Sequence, residues 1–452
     1  MDEEGHANGA PAGRGSVPVV AGAATSWTRP IVLCALLNLL LAVGLLVAGL
    51  AWPASAPVTG YSRAAMHLAV LGWLTLLLFG LLFELVPSMT GQALGTPWLS
   101  LATLVLVECG TLTMAGAFVL PVGAGAIDVW LLPLGAVLVF VGLLAGIINV
   151  LTPMVPVWPL PLPGNFILVA LGLLLLTAML GLTFAIAMAT SAATAQMQRL
   201  VDGGIGYHAL AGLGGWLSLA GMGVSYEVVP RWMGLEPVDH RGFCAAVCLL
   251  ATVGTILAVM TGLVGLWFPS RILAVAGYAG WLAVAAAAVL YLLDMLRFYR
   301  HRRRGAGLLD APAPLGVTAS LLAALALGLA LFVTGRVAAL APPLVLLVVL
   351  GWLTGLGLSW LSPDHELRAA IPRRPAGAAS RAPLRKEPAV PAPAPAPWPL
   401  LYFPAVWLAI VGTLIGNTAI ARVAMAGVLL AVVLLLRDYL RAGADGREPR
   451  PS

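Results

Sequence analysis

The chain has 452 residues, of which 61% are hydrophobic and only 9% charged, with a formal net charge of +6. That balance excludes an ordinary soluble domain and points to a multi-spanning α-helical membrane protein, since no stretch alternates like a barrel strand. The positive charge then reflects orientation in the bilayer rather than nucleic-acid binding.

In chain order, residues 1–28 are small, polar and Gly/Ala-rich, with acidic Asp2, Glu3 and Glu4. They read as a disordered cytoplasmic tail, because the n-region of a signal peptide would be basic. Residues 29–438 follow as one membrane domain. Apolar stretches long enough to span predict about twelve helices, at roughly 31–52, 64–88, 97–120, 127–150, 164–190, 205–231, 242–268, 271–297, 314–334, 337–361, 399–421 and 422–438. The last boundary is placed around Arg422. Residues 371–399, containing EPAVPAPAPAPWP, read as a Pro-rich cytoplasmic linker, and 439–452 as a cytoplasmic tail. Lys and Arg test the count: only Arg63, Arg199, Arg271, Arg336 and Arg422 fall on external loops when both termini are cytoplasmic.

One motif recurs. Trp73 to Gly91 and Trp216 to Gly234 both fit W-x6-G-x2-[FY]-E-x-V-P-x3-G, and LGWLT at Leu71–Thr75 returns at Leu350–Thr354. The motif falls on predicted helices 2, 6 and 10, four apart. Four is even, so all copies cross the membrane in the same sense. The expected architecture is three parallel four-helix repeats, about 31–190, 205–334 with 164–190 shared at the boundary, and 314–438.

Candidate chemistry lies on few side chains. His67 and His208 are the only histidines inside predicted helices. Imidazole is a good axial ligand for iron, and the competing reading is a ring hydrogen-bonded to a neighbouring helix. Aligning the tryptophans sets Leu210, not His208, opposite His67; an offset of two residues turns a side chain by about 200°. Glu108 sits near the middle of helix 3, as a proton relay or as a neutral acid bonded to a neighbour. Glu84 and Glu227 each lie three residues before a helix-ending proline, at the cytoplasmic interface, where pairing with Arg231 or another basic residue, or simple hydration, is expected. Asp294 and Arg297 read as a local i, i+3 pair. Cys244 and Cys248 share a face of helix 7, and two small core residues are favoured over a soft-metal site. The four cysteines imply no disulfide framework.

Taken together, His67 near the outer start of helix 2, Gly80, and Tyr207-His208-Ala209 leading through Gly221 and Tyr226 to Val229-Pro230 resemble the heme-copper oxidase superfamily. That superfamily includes subunit I of cytochrome oxidases and the large subunit of nitric oxide reductase. Helix 2, through His67, Gly72, Gly80, Pro87, Thr90 and Gly91, is also similar to the NnrS family, linked to nitric oxide metabolism. The resemblance implies twelve helices around a pseudo-threefold axis in a bacterial inner membrane. It implies a b-type heme on His67, with His208 as a ligand of heme iron or copper, and a cytochrome or other redox subunit as partner. The sequence departs from the family where the centre should be. Helix 7 and helix 10 carry no histidine, and Leu346 stands at the position of His67. The implied function is respiratory redox or nitric oxide-related chemistry without a complete oxygen-reducing site. Left open are a proton-coupled transporter of a metal or small solute, using Glu108, Glu84 and Glu227, and a cofactor-free accessory subunit.

Overall fold

The structure is a computed structural model that describes residues 25–51, 59–120, 128–190, 194–232, 235, 241–301, 312–361 and 397–445. Among these residues there are twelve continuous helices and no strand. They are α1 (Thr25–Val47), α2 (Gly60–Thr90), α3 (Pro97–Val119), α4 (Asp128–Leu151), α5 (Leu162–Ala189) and α6 (195–232), followed by α7 (Arg241–Gly265), α8 (Arg271–His301), α9 (Pro312–Val333), α10 (337–361), α11 (Trp398–Leu414) and α12 (Thr418–Asp445). Ten contain stretches long and apolar enough to cross a membrane, and α11 is a shorter apolar helix. The chain is therefore a multi-pass α-helical membrane protein.

Each expected span has a helix, but several boundaries change. α1 already starts at Thr25, inside the expected 1–28 tail, and ends at Val47. α6 starts at 195 rather than 205, so Arg199, expected on an external loop, lies inside it. The break between the last two helices lies at Ile415–Asn417, not around Arg422. Gly416 takes a left-handed φ of 70°, and Asn417 Oδ1 accepts the Ile420 N–H at 3.0 Å. A Gly C-terminal turn running into an Asn N-cap is a stop and start signal in three residues. Arg422 instead lies inside α12, where its Nε donates to Val47 O at the end of α1. The expected C-terminal tail from 439 is helical as far as Asp445. The Pro-rich linker ends earlier than 399, because Pro397 already caps α11. The remainder of that linker and most of the 1–28 tail lie outside the described residues.

The most extensive packing joins α3 to α4, α7 to α8 and α11 to α12, and the last helix returns to pack on the first. Lipid offers no hydrophobic drive between helices, so close backbone approach and dispersion must hold these pairs. Small residues sit where the backbones meet. A Cβ on Gly110 would stand 2.7 Å from Gly135 O, and one on Gly254 2.8 Å from Gly280 O. The innermost side chains belong to the repeated motif: Trp73 and Trp216 are buried to within 1% of full exclusion, and Trp352 is 4% exposed.

Candidate functional site

The three tryptophans mark three local distortions of the backbone. Leu68–Thr75 in α2, Leu210–Leu217 in α6 and Leu347–Thr354 in α10 are π-helical, and the stretch in α2 touches the other two. Each ends with an N–H reaching a carbonyl five residues back: Leu76 to Leu71, Ser218 to Leu213, Gly355 to Leu350. Such wide turns are rare and concentrate where a helix is shaped for function. Side-chain hydroxyls supply extra donors to two of these carbonyls. Ser218 Oγ donates to Leu213 O at 2.5 Å, and Tyr402 OH to Leu350 O at 2.7 Å.

The indoles tie the distorted stretches together. Trp73 Nε1 donates to Thr354 Oγ1 of α10, and Trp216 Nε1 to Thr75 Oγ1 of α2, both at 3.0 Å. Thr75, Ser218 and Thr354 all stand two residues after their tryptophan. Trp352 Nε1, the third donor, is buried and has no partner among the described residues. It lines a cavity of about 40 Å³ together with Tyr291, Ser359 and Trp360, and the indole N–H of Trp360 also lacks a partner. That space has room for one or more waters, each needing more than about 10 Å³.

His67 is the last residue before the first π-helical stretch. Its Nδ1 lies 2.8 Å from Arg63 O, and its ring packs on Phe118 with centroids 5.0 Å apart. His208 lies two residues before the second stretch. Its Nδ1 lies 3.1 Å from Thr177 O of α5, and its ring meets Phe184 edge-on at 5.6 Å. In both, a carbonyl can only accept, so Nδ1 carries the proton and Nε2 is left as a lone-pair donor. His67 thus packs against α3 and His208 against α5, while the π-helical stretches that follow them touch each other. Because the π-helical stretch of α6 starts one residue earlier relative to its tryptophan, the two-residue offset of His208 shrinks to one in the frame of the widened turn. In α10 the residue before the stretch is Leu346, which offers no donor.

Glu108 is placed elsewhere. It lies halfway along α3 and accepts a 2.6 Å hydrogen bond from Asn38 Nδ2 of α1. Asp294 does more than the expected local pair. Its Oδ1 receives Arg297 Nη1 at 3.1 Å, but the carboxylate is only 2% exposed and Oδ2 also accepts Tyr226 OH from α6 at 3.1 Å. Cys244 of α7 has its thiol 3.9 Å from the same oxygen, and Arg297 lies 4.8 Å over the Phe243 ring. This is an interhelical knot joining α6, α7 and α8, with Cys244 buried in it and Cys248 buried one turn further along α7. The Arg231 side chain expected to pair with Glu227 lies outside the described residues. Among the described residues no group of three His, Cys, Asp or Glu side chains converges on one point.

The sequence reading missed Asn38 and Tyr226 as partners of carboxylates. Asn38 was visible as a polar residue in an otherwise apolar helix, but nothing in the sequence says which helix it meets. No protein-family model matches this chain, and no curated protein matches it either.

Proposed function

We propose that this protein is a membrane redox protein that holds a b-type heme on His67, with His208 as the second imidazole at the same site. The observation that carries the reading is the pair itself. Two histidines on different helices each fix Nδ1–H on a backbone carbonyl, leave Nε2 free, and sit beside π-helical turns. A carbonyl-anchored imidazole is the form in which histidine serves a metal, because the anchored nitrogen sets the tautomer and raises the basicity of the other. The donor set fits iron better than copper. Two imidazoles would be a sufficient protein ligand set for a heme iron, whereas a copper site would need further donors.

The roles of the chain follow from that assignment. His67 would supply an imidazole nitrogen to the iron, and Phe118 and Phe184 pack on the two rings and help to hold them in place. Bound heme supplies one-electron chemistry and a site for diatomic gases when an axial position is open. Arranged around it, three parallel four-helix repeats place α2, α6 and α10 innermost. The Trp73–Thr354 and Trp216–Thr75 bonds support that arrangement because each runs from one repeat to the next. Electrons come from a partner redox subunit, and the surplus of Arg and Lys on one side supports an inner-membrane orientation with both termini cytoplasmic.

The test is the reduced-minus-oxidised absorption spectrum of detergent-purified protein from heme-replete cells. The wild type is expected to show a b-type signal that His67→Ala abolishes, and that His208→Ala alters in shape and in carbon monoxide affinity. A colourless wild type overturns the reading.

A further inference from the structure

The carboxyl of Glu108 takes no part in the proposed heme site, yet its surroundings are specific. We propose that Glu108 and Asn38 form a proton-binding site on the outer surface of the helix bundle, at mid-depth in the membrane. Three observations converge. First, Glu108 is only half-buried at the centre of a 23-residue helix, beside a lipid-facing stripe of Val105, Cys109 and Leu112. A fixed charge there is costly, so the acid form is readily populated while the side chain stays reachable from the bilayer.

Second, the partner is held in place for this contact. Asn38 is fully buried, and its Nδ2 donates both to Cys34 O at 2.9 Å and to Glu108 Oε2 at 2.6 Å. The carbonyl of Cys34 fixes the orientation of the amide, so Glu108 always receives an N–H and never an oxygen. A donated N–H stabilises the carboxylate that the lipid disfavours. The two effects oppose each other, which is the condition for a group that gains and loses a proton. Third, polar capacity is left over. Asn38 Oδ1 and, one turn further along α3, Thr111 Oγ1 are both buried and unpartnered among the described residues. A carboxylic acid needs somewhere to point its proton, and these oxygens are the nearby acceptors that remain.

The site is also coupled to the core. A Cβ on Gly72, in the first π-helical stretch, would lie 2.3 Å from Asn38 Cγ, so the amide rests directly on that backbone one residue from Trp73. Protonation at Glu108 Oε1 weakens the pull on Asn38 Nδ2 and is felt at the distorted turn. The other titratable groups on elements packed against α3 are Arg29 and Cys34 of α1 and Tyr61, Arg63, His67 and Glu84 of α2; α4 has none between Trp130 and Leu151. Of these, Cys34 lies one turn from Asn38 on α1 and near enough to Glu108 for their charges to interact.

Carbodiimide labelling of the full-length protein in liposomes tests this, because dicyclohexylcarbodiimide partitions into lipid and reacts only with a protonated carboxyl. Mass spectrometry is expected to find the adduct on Glu108. Its yield should fall at least about tenfold between about pH 5 and about pH 9, and Asn38→Leu should keep labelling to higher pH. Glu108→Gln removes the adduct. Alkylation of the adjacent Cys109 by a membrane-permeant maleimide reports that the variants are folded and reachable. No adduct at any pH despite Cys109 alkylation overturns the proposal, as does a yield independent of pH, which marks a permanently neutral structural acid. Protection by Na⁺ but not by choline at fixed pH also overturns it, in favour of a metal cation. The readout is independent of colour, so this site and the heme site stand or fall separately.

Discussion

The first and third copies of the tryptophan segment share the same five residues, LGWLT, and the same π-helical backbone, yet they are finished differently. In the first copy the turn starts after His67, its glycine is wedged against Asn38, and Trp73 hydrogen-bonds to Thr354. In the third the turn starts after Leu346, its glycine meets Ser320 more loosely, and the Trp352 N–H is unfilled beside a cavity. Identical local sequence fixes the backbone distortion. The neighbouring helix decides whether the same position becomes a packed, bonded node or an open one.

The sharpest way to break that contrast is a methyl group. Gly72→Ala puts Cβ 2.3 Å from Asn38 Cγ, while Gly351→Ala puts it 3.0 Å from the Leu347 and Ser320 side chains. The first is expected to cost about 3 kcal/mol or more and the second about 1 kcal/mol, read as thermal midpoints in detergent. Equal losses would show that the two copies are packed alike.

A smaller difference is expected from the indoles. Trp73→Phe takes a donor away from the buried Thr354 hydroxyl and leaves it only its contact with Tyr402, whereas Trp352→Phe removes a donor that has no partner among the described residues. Beyond the shared loss of ring volume, the first should be worse by about 1–2 kcal/mol. If Trp352→Phe is as damaging, a tightly held water fills its donor, and the third copy is less open than it looks.

The smallest change in stability but the most informative spectrum belongs to Leu346→His. It gives the third copy the histidine of the first, at the residue before the π-helical stretch. Given the heme reading, the added imidazole is expected to compete for an axial position, weakening carbon monoxide binding in the reduced protein. An unchanged spectrum with intact folding would place α10 away from the heme.

Much of this was legible in advance. Apolar runs gave all twelve helices, since a lipid-spanning backbone has almost no alternative to the helix. The motif marked all three π-helical stretches, although neither π geometry nor its one-residue shift in α6 is written in hydrophobic periodicity. The Gly416–Asn417 break was readable from capping chemistry and was misplaced because hydropathy alone runs straight through it. His67 and His208 stood out simply by being histidines in lipid.

What the sequence by itself determined is therefore everything set along one helix: its span, its ends, and the rarity of the polar groups it carries. Tertiary structure alone decided which of those groups meet. Asn38 with Glu108, Tyr226 with Asp294 and Trp73 with Thr354 all join residues on different helices. The physical reason is that an apolar helix in lipid buries equally well in many rotations. Close contacts at glycines and a few interhelical hydrogen bonds select one of them, and neither leaves a periodic trace in the chain.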